Sequence, residues 1–125
     1  MRKYIKYIAQ MAVAIHVSAA WAADASDLFK AVEIDAPHLV AQALKAGVDP
    51  NVRDDKGQAP LFVALRSESL KAAEALLADP RVDIDAANAH GETPLMMAAM
   101  RGQIDWVRQL RSEERRVGEE GRSRW

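Results

Sequence analysis

Two octapeptides, Gly57-Gln58-Ala59-Pro60-Leu61-Phe62-Val63-Ala64 and Gly91-Glu92-Thr93-Pro94-Leu95-Met96-Met97-Ala98, share glycine, proline, leucine and alanine at a spacing of 34 residues. No other feature constrains the fold as much. The register continues beyond them, with Leu70 over Ile104 and Leu76 over Leu110. An earlier copy aligns at 33, through Leu28 with Leu61, Ala31 with Ala64 and Leu44 with Leu77. Its later part, Gly47 to Asn51, matches Arg81 to Asp85 at 34, so one residue is inserted near Asp79-Pro80. A unit this short cannot bury an apolar face within itself. Its copies must stack, each covering the next, so the chain builds an elongated array.

Each copy reads as two short helices. Proline presets the backbone angle of a first helical turn and lacks only an N–H that the turn leaves unpaired. Pro60 and Pro94 therefore open helices, near 61–67 and 95–101. Thr93 is a good N-cap for the second of these and Ala59 a poor one for the first. Gly102 is placed to stop its helix as a C′ glycine. Leu70, Ala73, Leu76 and Leu77, and then Ile104, Val107 and Leu110, follow at helical spacing and mark the second helices. The turn-rich runs Gly47 to Asn51 and Asp54 to Gly57 carry the chain from one helical pair to the next.

This pattern resembles the ankyrin-repeat family. The residues that carry the likeness are Gly91-Glu92-Thr93-Pro94-Leu95-Met96-Met97-Ala98-Ala99 with Gly102, and Ala43-Leu44-Lys45-Ala46-Gly47-Val48-Asp49-Pro50-Asn51. Phe62 and Met96 replace the motif's histidine, Glu68 its inter-helix glycine and Ala59 its threonine. Tetratricopeptide repeats share the period but lack the turn-Pro-Leu opening and the long hairpin between units. The resemblance implies an all-α solenoid of helix-turn-helix units with hairpin-like loops. It divides the chain into a degenerate repeat over 27–53, a repeat over 54–87 and a partial one over 88–110, about two and a half units in all. Copy one carries Asp27, Lys30, Glu33 and Asp35, which suit the polar outer face of an N-terminal cap.

The two ends read differently. Arg2, Lys3 and Lys6 precede a mostly apolar run from Ile8 to Ala20, and Ala20-Trp21-Ala22 has the small residues of a cleavage site. This is the layout of a secretory signal peptide over 1–22, with cleavage expected after Ala22. The run is too short and too interrupted to anchor the chain in a membrane. At the other end the apolar pattern stops at Leu110. Back-translated, Arg111 to Gly118 resembles a common short-read sequencing adapter, so 111–125 is expected to be a non-native or disordered tail. On that reading the repeat is cut inside its second helix, and the uncapped end self-associates through exposed Ile104, Trp106, Val107 and Leu110.

Chemistry is sparse. The chain has no cysteine, which removes disulfides, thiolate catalysis and cysteine-ligated metals together. His38 begins a helix and His90 sits at a hairpin tip, and neither has ligand partners at metal-binding spacing. Asp49, Asp83 and Asp85 fall where turns use aspartate to bond their own backbone. Ser67 and Ser69 have no histidine nearby, and no phosphate-binding glycine loop occurs. No catalytic, cofactor-binding or metal residue is expected. Residues 23–110 hold nine basic and fourteen acidic side chains, which argues against nucleic acid as a partner.

The resemblance implies a binding module whose partner is another protein. The family holds partners at hairpin tips and on the inner faces of the first helices. By pattern position these are Arg53, Asp55 and Lys56 at one tip, Ala89 and His90 at the next, and Val63, Arg66, Met97 and Arg101 on the concave side. With the leader, this becomes a bacterial exported type, periplasmic or secreted, with no membrane contact after cleavage. Two other roles fit the same pattern: a structural, self-assembling repeat protein, and a protective protein that binds a co-encoded effector.

Overall fold

The computed structural model describes residues 23–122, with side chains to Arg116. The leader assigned to 1–22 lies outside the described residues. The six helices are α1 (Ala25–Glu33), α2 (Pro37–Lys45), α3 (Pro60–Arg66), α4 (Leu70–Leu77), α5 (Pro94–Met100) and α6 (Ile104–Arg122), and no strand occurs among the described residues. They pair as α1–α2, α3–α4 and α5–α6. First helices then pack on first helices, α1 on α3 and α3 on α5, while α2 packs on α4. The result is an all-α repeat solenoid.

The helix starts follow local chemistry. Asp24 caps α1 reciprocally: its carboxylate accepts from the Asp27 N–H at 3.1 Å, and its own N–H donates to the Asp27 carboxylate at 2.9 Å. Prolines open α2, α3 and α5. The Thr93 hydroxyl accepts from the Met96 N–H at 3.2 Å, whereas Ala59 offers α3 no side-chain cap.

All three first helices end alike. The αL position after the helix is taken by Asp35 (φ 51°), Glu68 (φ 58°) and Gly102 (φ 70°). In each case the next N–H reaches back five residues: Ala36 to Ala31 O, Ser69 to Ala64 O and Gln103 to Ala98 O, at 2.8 to 2.9 Å. Gly102 thus fills the role its position implies. Asp35 follows α1 and takes up this same left-handed corner.

The core is a ribbon of small and branched side chains running the length of the stack. It holds Leu28, Val32 and Val40 from the first unit, Leu61, Phe62, Leu65, Ala72 and Leu76 from the second, and Met97, Ala98, Trp106 and Leu110 from the third. Buried alanines at Ala31, Ala64, Ala72 and Ala98 let neighbouring helices approach closely. Polar stitches join successive units. The Asp35 carboxylate accepts from the Ala72 N–H at 2.8 Å, and the Gln103 amide donates to Leu65 O at 2.9 Å. Asn51 spans the hairpins, donating to Arg81 O at 2.9 Å and accepting from the Asp83 N–H at 2.7 Å.

The last unit corrects one expectation. Trp106 and Leu110 are buried and Val107 is partly buried, so of the four residues assigned to an exposed uncapped end only Ile104 is exposed. A four-residue step puts Trp106 and Leu110 on one face of α6, against α5, while Ile104 lies round the other side. The helix also runs past Leu110 to Arg122. That stretch is rich in glutamate and arginine, good helix formers, and Arg116 pairs with Glu113 at 2.6 Å one turn away.

Candidate functional site

Four segments meet in a groove of about 470 Å³ on the inner side of the first two units. Helix α1 supplies Ala25, Ser26, Phe29 and Glu33, the hairpin before α3 supplies Arg53 to Lys56, and α3 supplies Val63 and Arg66. The hairpin is held by one side chain. The Asp54 carboxylate accepts from the N–H groups of Lys56 and Gln58, both at 2.9 Å, and closes the turn around Gly57. Asn88 does the same one unit later, accepting from His90 N–H at 2.9 Å and Glu92 N–H at 3.0 Å. Gly57 adopts φ 74°, and a Cβ there would stand 3.6 Å from that of Ala89, so successive tips lie side by side.

The groove is mixed in charge, and some of its charges are already engaged. Arg53 donates to Gly57 O at 2.8 Å and also to Ala87 O, so it ties its own tip to the next unit. Arg66 donates to the Gln58 side-chain oxygen at 2.6 Å. Lys56, Asp55 and Glu33 are exposed on the rim, where they can meet charges on a partner. Phe29 is partly buried and Val63 buried, giving an apolar floor. This arrangement can bind a complementary surface. Among the described residues no group of three or more His, Asp or Glu is placed to hold a metal ion.

Of the nine residues singled out in the sequence, five come together here: Arg53, Asp55, Lys56, Val63 and Arg66. Ala89 and His90 are exposed at the following tip and do not line the groove. Arg101 does not line it either and pairs across the unit boundary with Glu68 at 2.8 Å. Val63 and Met97 were assigned to a free concave face, yet both are buried. The reason is the packing of α3 on α1 and of α5 on α3, which covers this register position in the second and third units. Phe29 and Glu33 are additions from the structure. The signal for Glu33 was present, because it stands 33 residues before Arg66; Phe29 stands the same distance before the core residue Phe62 and carried no such signal.

Two carboxylates outside the groove depart from ordinary behaviour. Asp79 is hydrogen-bonded and paired with Arg81 at 2.7 Å, which holds its carboxyl below the usual range. Arg81 also reaches Leu44 O at 3.1 Å, so this pair links the second hairpin to the end of α2. On α6, a hydrogen bond with the Asp85 carboxylate, assisted by partial burial, pushes Glu114 above the usual range.

The geometry agrees with what known proteins show. A family model described as ankyrin repeats, in three copies, matches residues 28–119. The chain belongs to the ankyrin-repeat family. Human neurogenic locus notch homolog protein 4 is 32% identical over 83 residues, which is 66% of this chain and 4% of that protein. Human ankyrin repeat domain-containing protein 29 is 47% identical over 49 residues, 39% of this chain and 16% of that protein. The chain thus spans a small part of the length of these relatives. Ankyrin repeats generally bind other proteins and are typically non-catalytic, and the groove built by α1, the hairpin and α3 lies on the ankyrin surface formed by tips and first helices.

Proposed function

We propose that this chain is an exported, non-catalytic ankyrin module that binds another protein in the bacterial periplasm through the groove between α1, the 53–56 tip and α3. One observation carries the reading: five residues drawn from pattern position alone, Arg53, Asp55, Lys56, Val63 and Arg66, line a single groove. Export is supported by the basic start, apolar run and Ala20-Trp21-Ala22 site of residues 1–22. Affinity rests on a few anchors, with Phe29 and Val63 as the apolar floor and Lys56, Asp55 and Glu33 choosing the partner by charge.

The test places a photo-crosslinking residue at Asp55 or, as a control on the outer helix, at the exposed Glu74. In cells making the full chain, Asp55 should yield a discrete periplasmic adduct that Glu74 does not. Lys56→Glu should weaken that adduct by roughly tenfold, the effect of about 1.4 kcal/mol. Equal crosslinking from both positions, or a chain retained in the cytoplasm with its N-terminus uncut, would overturn the reading.

A further inference from the structure

Arginines meet two kinds of acceptor in this fold. Arg81 lays its Nε and Nη2 on the Asp79 carboxylate, at 3.1 and 2.7 Å, and Arg101 and Arg116 reach Glu68 and Glu113 through Nη2. Arg53 and Arg66 bond differently. Arg53 donates from Nη1 to Gly57 O at 2.8 Å and to Ala87 O, and Arg66 donates from Nη1 to the Gln58 side-chain oxygen at 2.6 Å. All three acceptors are neutral oxygens. Among the described residues neither guanidinium pairs with a carboxylate, although Glu33, Asp54 and Asp55 line the same groove.

A guanidinium is a planar fork of N–H donors, and its Nε–Nη2 edge matches the two oxygens of a carboxylate. Arg81 uses that edge on Asp79. Bonds from Nη1 fix the plane of the fork and leave the matching edge open. The anchors Gly57 and Gln58 are consecutive, so both forks hang from the same arm of the hairpin. Arg53 is tied to the next unit as well, through Ala87 O, and Arg66 is half-buried in a lining it shares with Phe29 and Val63. Two cations thus stand in place before a partner arrives, with much of their side-chain freedom already removed. Their neutral anchors leave the charge itself uncompensated.

From these open edges we propose that the groove takes a carboxylate side chain from an acidic segment of its protein partner, gripped by Arg53 and Arg66. The proposal rests on the groove being the binding surface, and it specifies what that surface recognises. The Asp54 carboxylate does not compete for the grip, because it is held by the N–H groups of Lys56 and Gln58. A carboxylate suits the site better than a phosphoryl group does. Glu33, Asp54 and Asp55 line the same space and repel the roughly doubled charge of a phosphoryl group more strongly.

The test pans the full chain, with a photo-crosslinking residue at Asp55, against a displayed library of short random peptides fused to their carrier at the C-terminus. Peptides that crosslink should share an aspartate or glutamate. A selected peptide, synthesised with an amidated C-terminus, should bind at least roughly tenfold more weakly when that acid becomes its amide. Arg66→Gln should weaken the original peptide by a similar factor while keeping its helical circular dichroism. Arg66→Glu should reverse the preference and favour the peptide with lysine in place of the acid. Lys71→Gln, exposed on α4 and outside the groove, removes the same charge and should leave binding unchanged. Crosslinking peptides that carry no acid and ignore both Arg66 variants overturn the carboxylate grip and leave the groove standing. So does a phosphoserine version that binds more tightly than the glutamate one. A library that yields no peptide crosslinking at Asp55 overturns the groove and the grip together.

Discussion

The second and third units carry the same motif and meet different fates. From Pro60 to Leu65 every residue of α3 is buried; at the matching positions of α5, Pro94, Met97 and Ala98 are buried but Met96 and Ala99 are exposed. Phe62 is 1% exposed and Met96, 34 residues later, 51%. Nothing local distinguishes the two sites: both are apolar, on the third residue of a helix opened by proline. Burial in a stacked array is set by having a neighbour on each side, and the motif decides only which way a side chain faces.

The largest expected effect separates those two positions. Phe62→Ala removes a fully buried aromatic and should cost about 3–5 kcal/mol, a large part of the stability of a domain this size. Met96→Ala at the same register should change stability by less than about 0.5 kcal/mol. Urea unfolding followed by circular dichroism reads both. Costs of similar size would show that a neighbour covers Met96 as completely as α5 covers Phe62, and the contrast between the units would collapse.

A smaller contrast lies in the corners after the first helices. Asp35, Glu68 and Gly102 share one left-handed conformation, which side chains with a Cβ occupy at a cost of roughly 1 kcal/mol. Glu68→Gly relieves that cost and gives up only an exposed ion pair with Arg101, worth little in water. It should stabilise the chain by roughly 0.5 kcal/mol. Asp35→Gly relieves the same strain but leaves the Ala72 N–H without its partner, so it should be neutral or destabilising by up to roughly 1 kcal/mol. The midpoint shifts in urea should have opposite signs or differ clearly. Equal gains would mean that the Asp35 bond across the unit boundary contributes nothing.

Much of this was legible in the residues. Prolines and the C′ glycine Gly102 foretold helix ends, because they act within a few residues of themselves, and the 33-to-34-residue register foretold the pairing of helices. Thr93 as a cap and Asp49 and Asp83 as turn formers are of the same kind: Asp49 accepts from Asn51 N–H and Asp83 from Asp85 N–H, whereas Asp85 enters its turn only through that backbone N–H. Features that depend on a neighbouring unit were harder. Val63 and Met97 lie on the inner helices as pattern position implies, yet packing between successive first helices closes over them. Trp106 and Ile104 are two residues apart and equally apolar, but only the helix's rotation against α5 decides that Trp106 is core and Ile104 is surface. Asp35 and Glu68 hid the shared corner, because neither is the glycine that usually announces it.

The smallest expected effects set the hairpin after the second unit against the helix of the third, and their signs are opposite. The folded-state pKa of Asp79 is lowered by Arg81, so the folded chain binds its proton more weakly than the unfolded chain does. Its stabilisation is complete above the ordinary carboxylate range and is lost as pH falls through the depressed value. Asp79→Asn should therefore cost up to roughly 1 kcal/mol at neutral pH, with the deficit shrinking in acid. The folded-state pKa of Glu114 is raised by Asp85, so the folded chain holds that proton more tightly. Its contribution is present below the ordinary range and is lost as pH rises through the elevated value. Glu114→Gln should consequently be neutral in acid and stabilising by a few tenths of a kcal/mol, roughly, at neutral pH. Thermal unfolding between about pH 3 and pH 7, where carboxylates titrate, reads both variants. If Glu114→Gln leaves the pH dependence unchanged, the far part of α6 does not lie against the Asp85 turn in solution. The third unit would then rest on its core side chains Met97, Ala98, Trp106 and Leu110 and on the Gln103 bond to Leu65 O, without a carboxyl contact from the far part of α6.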